Sequence, residues 1–213
     1  MRSSTPNLFV LERTAEAPEV IDVHFRHLVC GVCGTRPVAR VGSTAVRFFK
    51  QAQLVDVTRT AGGLLARHKL LERLTEHLIT GWRAGVVRVE AIPSLCDRDL
   101  SYSELVIVGH TQCYAERVGL QVDSECSECG RRAYLVPQEG IPMPKECWDG
   151  SDIFMIDELP GLTIVTAAVR DLIKQYGHTG VRCTPLTDWR DPLGWMPEKR
   201  LAKPPSDVWP PLR

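Results

Sequence analysis

Two copies of one five-residue motif constrain this chain more than any other feature. Cys30-Gly31-Val32-Cys33-Gly34 and Cys126-Ser127-Glu128-Cys129-Gly130 both read C-x-x-C-G, 96 positions apart. Two residues between the cysteines let both sulfurs point into one tight turn, and the glycine that follows takes the positive φ at which the backbone reverses. One such motif is ambiguous, because redox pairs share the C-x-x-C spacing. Two of them supply four thiolates, the complement of a closed tetrahedral zinc site. The expected ligands are Cys30, Cys33, Cys126 and Cys129, holding one structural Zn²⁺ per chain.

Other chemistries fit these residues less well. A catalytic zinc keeps one coordination position open, which four thiolates do not. His24 and His27 lead into the first knuckle as H-x-x-H-x-x-C-x-x-C, but residues three apart on a strand face opposite sides. A thioredoxin-like pair sits where a strand opens a helix. Here Arg36-Pro37-Val38 and Arg131-Arg132-Ala133-Tyr134 continue the knuckles as strands. His110 near Cys113 has no orienting partner in the sequence, as a thiol nucleophile would need. Gly62-Gly63 reads as a turn rather than an anion cradle. Cys96, Cys113, Cys147 and Cys183 show no paired spacing and are expected to pack as small hydrophobes.

The 213 residues carry 26 basic and 26 acidic side chains, with no formal net charge. That balance argues against a strongly basic nucleic-acid binder or an acidic mimic of one. The first residues contain no apolar h-region, and no run approaches the length of a membrane span. The expectation is a cytoplasmic protein, where cysteine pairs are metal ligands more often than disulfides.

The chain then repeats a plan. Extended stretches precede each knuckle, Val20 to Phe25 in one half and Leu105 to Val108 with Arg117 to Val122 in the other. Residues 53–58 and 153–157 read as strands after the knuckles. A helix is predicted over 63–80, with Leu64, Leu71, Leu74 and Leu78 on one face, and another over 163–176, with Val165, Val169, Leu172 and Ile173. Gly81 and Gly177 look like their C-terminal caps, and short strands follow at Val86 to Val89 and Val181 to Cys183. The knuckle cysteines and the capping glycines are offset by 96 positions and the last strands (Val87 to Val181) by 94, which suggests an internal duplication with repeats at about 18–93 and 114–187. If so, each half brings half a metal site. The fold class expected is α+β, an antiparallel or mixed sheet with two main helices, in a single zinc-stapled domain over 1–187. Residues 188–213 form a proline- and tryptophan-rich tail, read as a strap on the chain's own surface or an arm for a partner.

Two C-x-x-C-G knuckles, the second followed by DIFMIDELPGLTIVTAAVRDLIKQYGHTGVRCTPL, resemble the bacterial double-CXXCG motif family. Its members include immunity proteins paired with contact-delivered, swarm-inhibition-type toxins. The resemblance is clearest over about 100–187. It implies a protein that binds and neutralises a cognate toxin in the cytoplasm and is not an enzyme; only the four knuckle cysteines carry over. The rival reading is a zinc-ribbon nucleic-acid-binding protein. Arg36, Arg40, Arg131 and Arg132 beside the knuckles favour it, as does an excess of arginine over lysine. Glu125, Glu128 and the balanced charge count against it. The toxin, its contact surface and the oligomeric state are not legible in the sequence.

Overall fold

Strands buried on both faces set the architecture. The computed structural model describes residues 7–190, apart from 23–24, 28–29, 35–37, 41–43, 61–62, 96, 112–114, 131, 136–139, 157–158 and 160–161. In it Leu8, Phe9 and Val10 are all buried, as are Leu64, Leu65 and Ala66, and Ile164 and Val165. Successive side chains on a strand point to opposite faces, so each of these strands has a core on either side.

The first half of the chain runs β1 (Leu8–Arg13), β2 (Glu19–Asp22), β3 (Phe25–His27), β4 (Val38–Arg40), β5 (Thr44–Phe48), β6 (Val57–Thr60), β7 (Gly63–Arg67), α1 (His68–Glu76), β8 (Trp82–Gly85) and β9 (Val87–Ala91). The second runs β10 (Tyr102–Ile107), β11 (Gly109–His110), β12 (Gln121–Glu125), β13 (Arg132–Leu135), β14 (Ile153–Met155), β15 (Thr163–Thr166), α2 (Ala167–Gln175) and β16 (Val181–Pro185). They build a five-stranded sheet in the order β11-β14-β15-β1-β16 and a four-stranded sheet in the order β6-β7-β10-β8. A three-stranded sheet, β2-β5-β9, and two hairpins, β3-β4 and β12-β13, complete the set. Pairing is antiparallel except at β11 with β14 and β5 with β9. The class is therefore the expected mixed α+β, with two helices among the described residues.

The two large sheets share one core and each has a second behind it. Phe9, Leu64, Ala66, Leu105, Ile153 and Val165 meet Leu70, Leu71 and Leu74 of α1 and Val169, Leu172 and Ile173 of α2 in the shared layer. Val10, Phe154 and Ile164 face the opposite way, into a core with Leu120, Ile141 and Ile156. Leu65 and Tyr102 face away from the shared layer too, toward Val46 and Phe48. Each nine-residue helix is too short to persist alone in water. Each is held by an apolar stripe whose buried side chains contribute about 2 kcal/mol apiece.

Both helices are shorter than the expected ones. Residues 63–67 and 163–166 are strands, and the chain turns helical only at His68 and Ala167. A strand covered on both sides loses its alternation of polar and apolar residues, so its apolar run merges with the helical stripe that follows. Residues 53–56 are likewise not strand: a single 3₁₀ turn at Gln51–Gln53 precedes β6. Ala115–Val118 is also a 3₁₀ turn, leading into β12.

The helix caps differ from the expectation in one half only. Gly177 does end α2 in the left-handed conformation, at φ 64°. After α1 that position is filled by Leu78, at φ 53°. Gly81 is needed for another reason: a Cβ there would sit 2.0 Å from the carbonyl oxygen of Ile153. Near the C-terminal end, Trp189 is buried in the same core as Val10 and Ile164. From residue 191 on, the tail, with Trp195 and Trp209, lies outside the described residues. Among the described residues no helix is long and apolar enough to cross a membrane.

Candidate metal centre

The knuckles fold locally as their spacing requires. In each, the glycine amide returns to the first cysteine: Gly34 N–H donates to the Cys30 carbonyl and Gly130 N–H to that of Cys126, both at 2.9 Å. The two glycines have φ 65° and 68°. A Cβ on Gly130 would touch nothing, so glycine is required there by the backbone alone. β3 and β4 flank the first turn, and β12 and β13 flank the second.

Tertiary structure then brings the two turns face to face. Cys30 Sγ lies 3.7 Å from Cys126 Sγ, and Cys33 Sγ lies 3.7 Å from Cys129 Sγ. All four sulfurs fall within 4.8 Å of one another. A tetrahedral zinc with bonds of about 2.3 Å needs sulfurs about 3.8 Å apart, so the cluster has the right size and donor chemistry for one ion. Among the described residues no other group of histidine, cysteine or carboxylate side chains comes together in this way. Cys30 is buried, Cys33 and Cys126 half-buried, and Cys129 exposed. Backbone amides of Cys129 and Glu128 donate to the Cys126 sulfur and hold its thiol below the ordinary range. The second knuckle sits on a ribbon whose strand β12 is exposed throughout while Tyr134 of β13 is buried in the core with Val10 and Ile164.

The other residues singled out in the sequence do not join it. His24, Cys96 and Cys113 lie outside the described residues, and His27 falls in β3, whose side chains are not described. His110 donates its amide to the Asp149 carboxylate at 2.9 Å. Gly63 opens β7 instead of a helix, which removes the anion-cradle reading. Cys183 packs against the shared core, and burial pushes its thiol up to about 11. Cys147 departs from expectation: it is fully buried and disulfide-bonded, a linkage rare in reducing compartments.

Two acidic clasps were not legible in the sequence. Asp56 accepts hydrogen bonds from the Thr179 amide at 2.8 Å and the Thr179 hydroxyl at 3.1 Å. Asp152 accepts from the amide and hydroxyl of Thr80, both at 3.0 Å. Asp56 is also paired with Lys69, 2.7 Å away, and stands 3.6 Å from His178 Nδ1. Burial raises the Asp56 pKa, but the Lys69 ammonium and the Thr179 donors outweigh it and leave the carboxyl below its usual range. His178 is buried without a hydrogen bond on either ring nitrogen, and burial pushes its pKa down. Isolated Asp, Thr and His residues carry no spacing signal, so nothing local announced these contacts.

No protein-family model matches the chain, and no curated protein matches it.

Proposed function

We propose that Cys30, Cys33, Cys126 and Cys129 hold one structural Zn²⁺, and that the chain acts by binding another protein, a cognate bacterial toxin that it neutralises with no chemistry of its own. The metal half rests on one observation: four thiolates gathered at tetrahedral spacing from turns 96 residues apart. Four sulfur ligands leave no position for water or substrate, so the ion would staple and not catalyse. The ligands arrive as two like pairs from two like turns, which also supports duplication as the origin of the halves. The toxin-binding half is supported by the double-CXXCG resemblance of the knuckles and of the run from Asp152 to Leu186.

Of the arginines beside the knuckles, Arg36 and Arg131 lie outside the described residues and the side chain of Arg40 is not described, whereas Arg132 is held by carboxylates. Arg132 is engaged by Glu125 at 2.9 Å and by Glu116 at 3.6 Å. Arg117 is paired with Glu146 at 3.0 Å. A phosphate backbone would have to displace these carboxylates to reach the guanidinium groups.

Co-expression tests the reading. The C-terminal domain encoded by the neighbouring gene should arrest growth when expressed alone and lose that toxicity when this chain is present. Toxicity unchanged by this chain would remove the immunity reading, and binding to DNA or RNA that weakens steeply with salt would put the nucleic-acid one in its place. Elemental analysis of the purified protein should find about one zinc per chain.

A further inference from the structure

The halves do not sit side by side. β1 belongs to the first half but lies between β15 and β16 of the second; β10 belongs to the second half but lies between β7 and β8 of the first. The two insertions agree residue for residue. Leu8, Phe9 and Val10 face Thr166, Val165 and Ile164, while Tyr102, Ser103 and Glu104 face Arg67, Ala66 and Leu65. On the other edge Leu11 faces Cys183 and Leu105 faces Ala84. Seven pairings map onto a counterpart by one step of 94 residues for the inserted strand (Leu8 to Tyr102) and one of 99 for its hosts (Arg67 to Thr166). A slip of one residue would turn an entire strand inside out, so two matched pairs of registers do not arise from a shared order of elements alone.

The close contacts repeat in the same way. Val57 N–H donates to the Thr179 carbonyl at 3.0 Å, and Ile153 N–H to that of Thr80 at 3.1 Å. A Cβ on Gly180 would stand 2.1 Å from the Val57 carbonyl oxygen, as one on Gly81 would from that of Ile153. Equivalent residues also touch each other, which happens only on a two-fold axis. Cys30 meets Cys126, Cys33 meets Cys129, and His77 meets Tyr176.

We propose that this chain is a fused, strand-exchanged dimer: two copies of one unit, each lending its first strand to the other's sheet and neither complete without a second copy, with the metal on the axis that relates them. Exchange of an identical element is a low-cost route to a dimer, and the segment joining β9 to β10 makes that dimer one chain. Withdrawing β1 or β10 would strip hydrogen bonds from strands on both of its sides. The halves are thus locked by interleaved backbone. The metal's place on the axis rests on the zinc reading above; the interleaving does not.

The test is a recognition sequence for a site-specific protease inserted between Asp97 and Arg98, both exposed. After cleavage, with disulfides reduced, the two fragments should elute together at the volume of the uncut protein, before and after a strong chelator, and part only in denaturant. Fragments that separate on cleavage, or on chelation, would overturn the proposal. Should the insertion prevent folding, hydrogen exchange on the unmodified chain decides. Amides of β1 and β10 should be protected alike, with and without chelator, and loss of protection in either strand on chelation would overturn it. Zinc content measured on the same samples separates the two claims. Metal-free fragments that stay together leave the exchange standing without zinc, and zinc-loaded fragments that part on chelation leave zinc without the exchange.

Discussion

His77 and Tyr176 close the helix end of the molecule: the Nε2 of His77 lies 3.0 Å from the Tyr176 hydroxyl, each residue the first beyond its own helix. Arg73 stands over the same tyrosine ring, 4.6 Å from its centre. A neutral hydrogen bond contributes about 1 kcal/mol and less where water competes, and both residues here are exposed. Tyr176→Phe should therefore cost under about 1 kcal/mol in urea unfolding, while Tyr176→Ala should cost more by losing the arginine's ring contact. Equal costs for the two would remove the ring from the account.

Leu78 holds a left-handed conformation while 83% exposed, so it carries backbone strain with little packing in return. The strain is worth about 1–2 kcal/mol, and the added freedom of an unfolded glycine takes back about 0.5–1. Leu78→Gly should raise stability by roughly 0.5–1 kcal/mol. Gly177→Leu, the reverse exchange after α2, should lower it. Denaturant midpoints at a constant slope read both.

Gly81 and Gly180 should behave as a matched pair. An added Cβ meets carbonyl backbone at 2.0 and 2.1 Å, at φ 86° and 91°. Left-handed strain of about 1–2 kcal/mol adds to an overpacking cost of about 1–3. Either alanine variant should lose about 3 kcal/mol. Gly177→Ala has open space around its Cβ and should lose only the strain.

Acid should weaken the fold through His178 and Asp56. An unfolded histidine titrates near pH 6.5, whereas buried His178 binds its proton only at lower pH, despite the pull of Asp56 and with Lys69 and Arg73 opposing it. Its contribution is complete above about pH 6.5 and declines as the pH falls below that, until the folded-state pKa is passed. The depressed Asp56 carboxyl adds a second loss that begins below about pH 4 and completes as its own folded pKa is crossed. Unfolding free energies at pH 7 and pH 5 should differ in the wild type, and His178→Gln should flatten the difference.

Cysteine chemistry separates the four-cysteine cluster from the rest. Replacing Cys30, Cys33, Cys126 or Cys129 by serine should each abolish stoichiometric metal. Because α1 and α2 pack in a core that includes no knuckle residue, helical circular dichroism should persist in these variants. Cys183, its thiol raised to about 11, should resist alkylation at pH 8 until the chain is unfolded. Rapid labelling of native Cys183 would contradict its packing.

Whatever depends on neighbours in the chain could be read before the fold was known. Two residues between the cysteines and a glycine after them shape the turn in each half, and the apolar stripes over 68–76 and 167–175 dictate two helices. The pairing of the knuckles into one cluster also followed, because a four-thiolate site was the chemistry that completed both. Tertiary structure decided the rest. Leu64 to Ala66 and Ile164 to Thr166 are strands because cores cover both of their faces, and burial from two sides erases the alternation that would mark a strand. Leu78 in place of a glycine cap, and Asp56 beside His178, are contacts that no spacing encodes. Most of all, the apolar pattern of β1 is the same whether it pairs within its own half or in the other. Only the folded chain, where Phe9 faces Val165 and Ser103 faces Ala66, chooses between them.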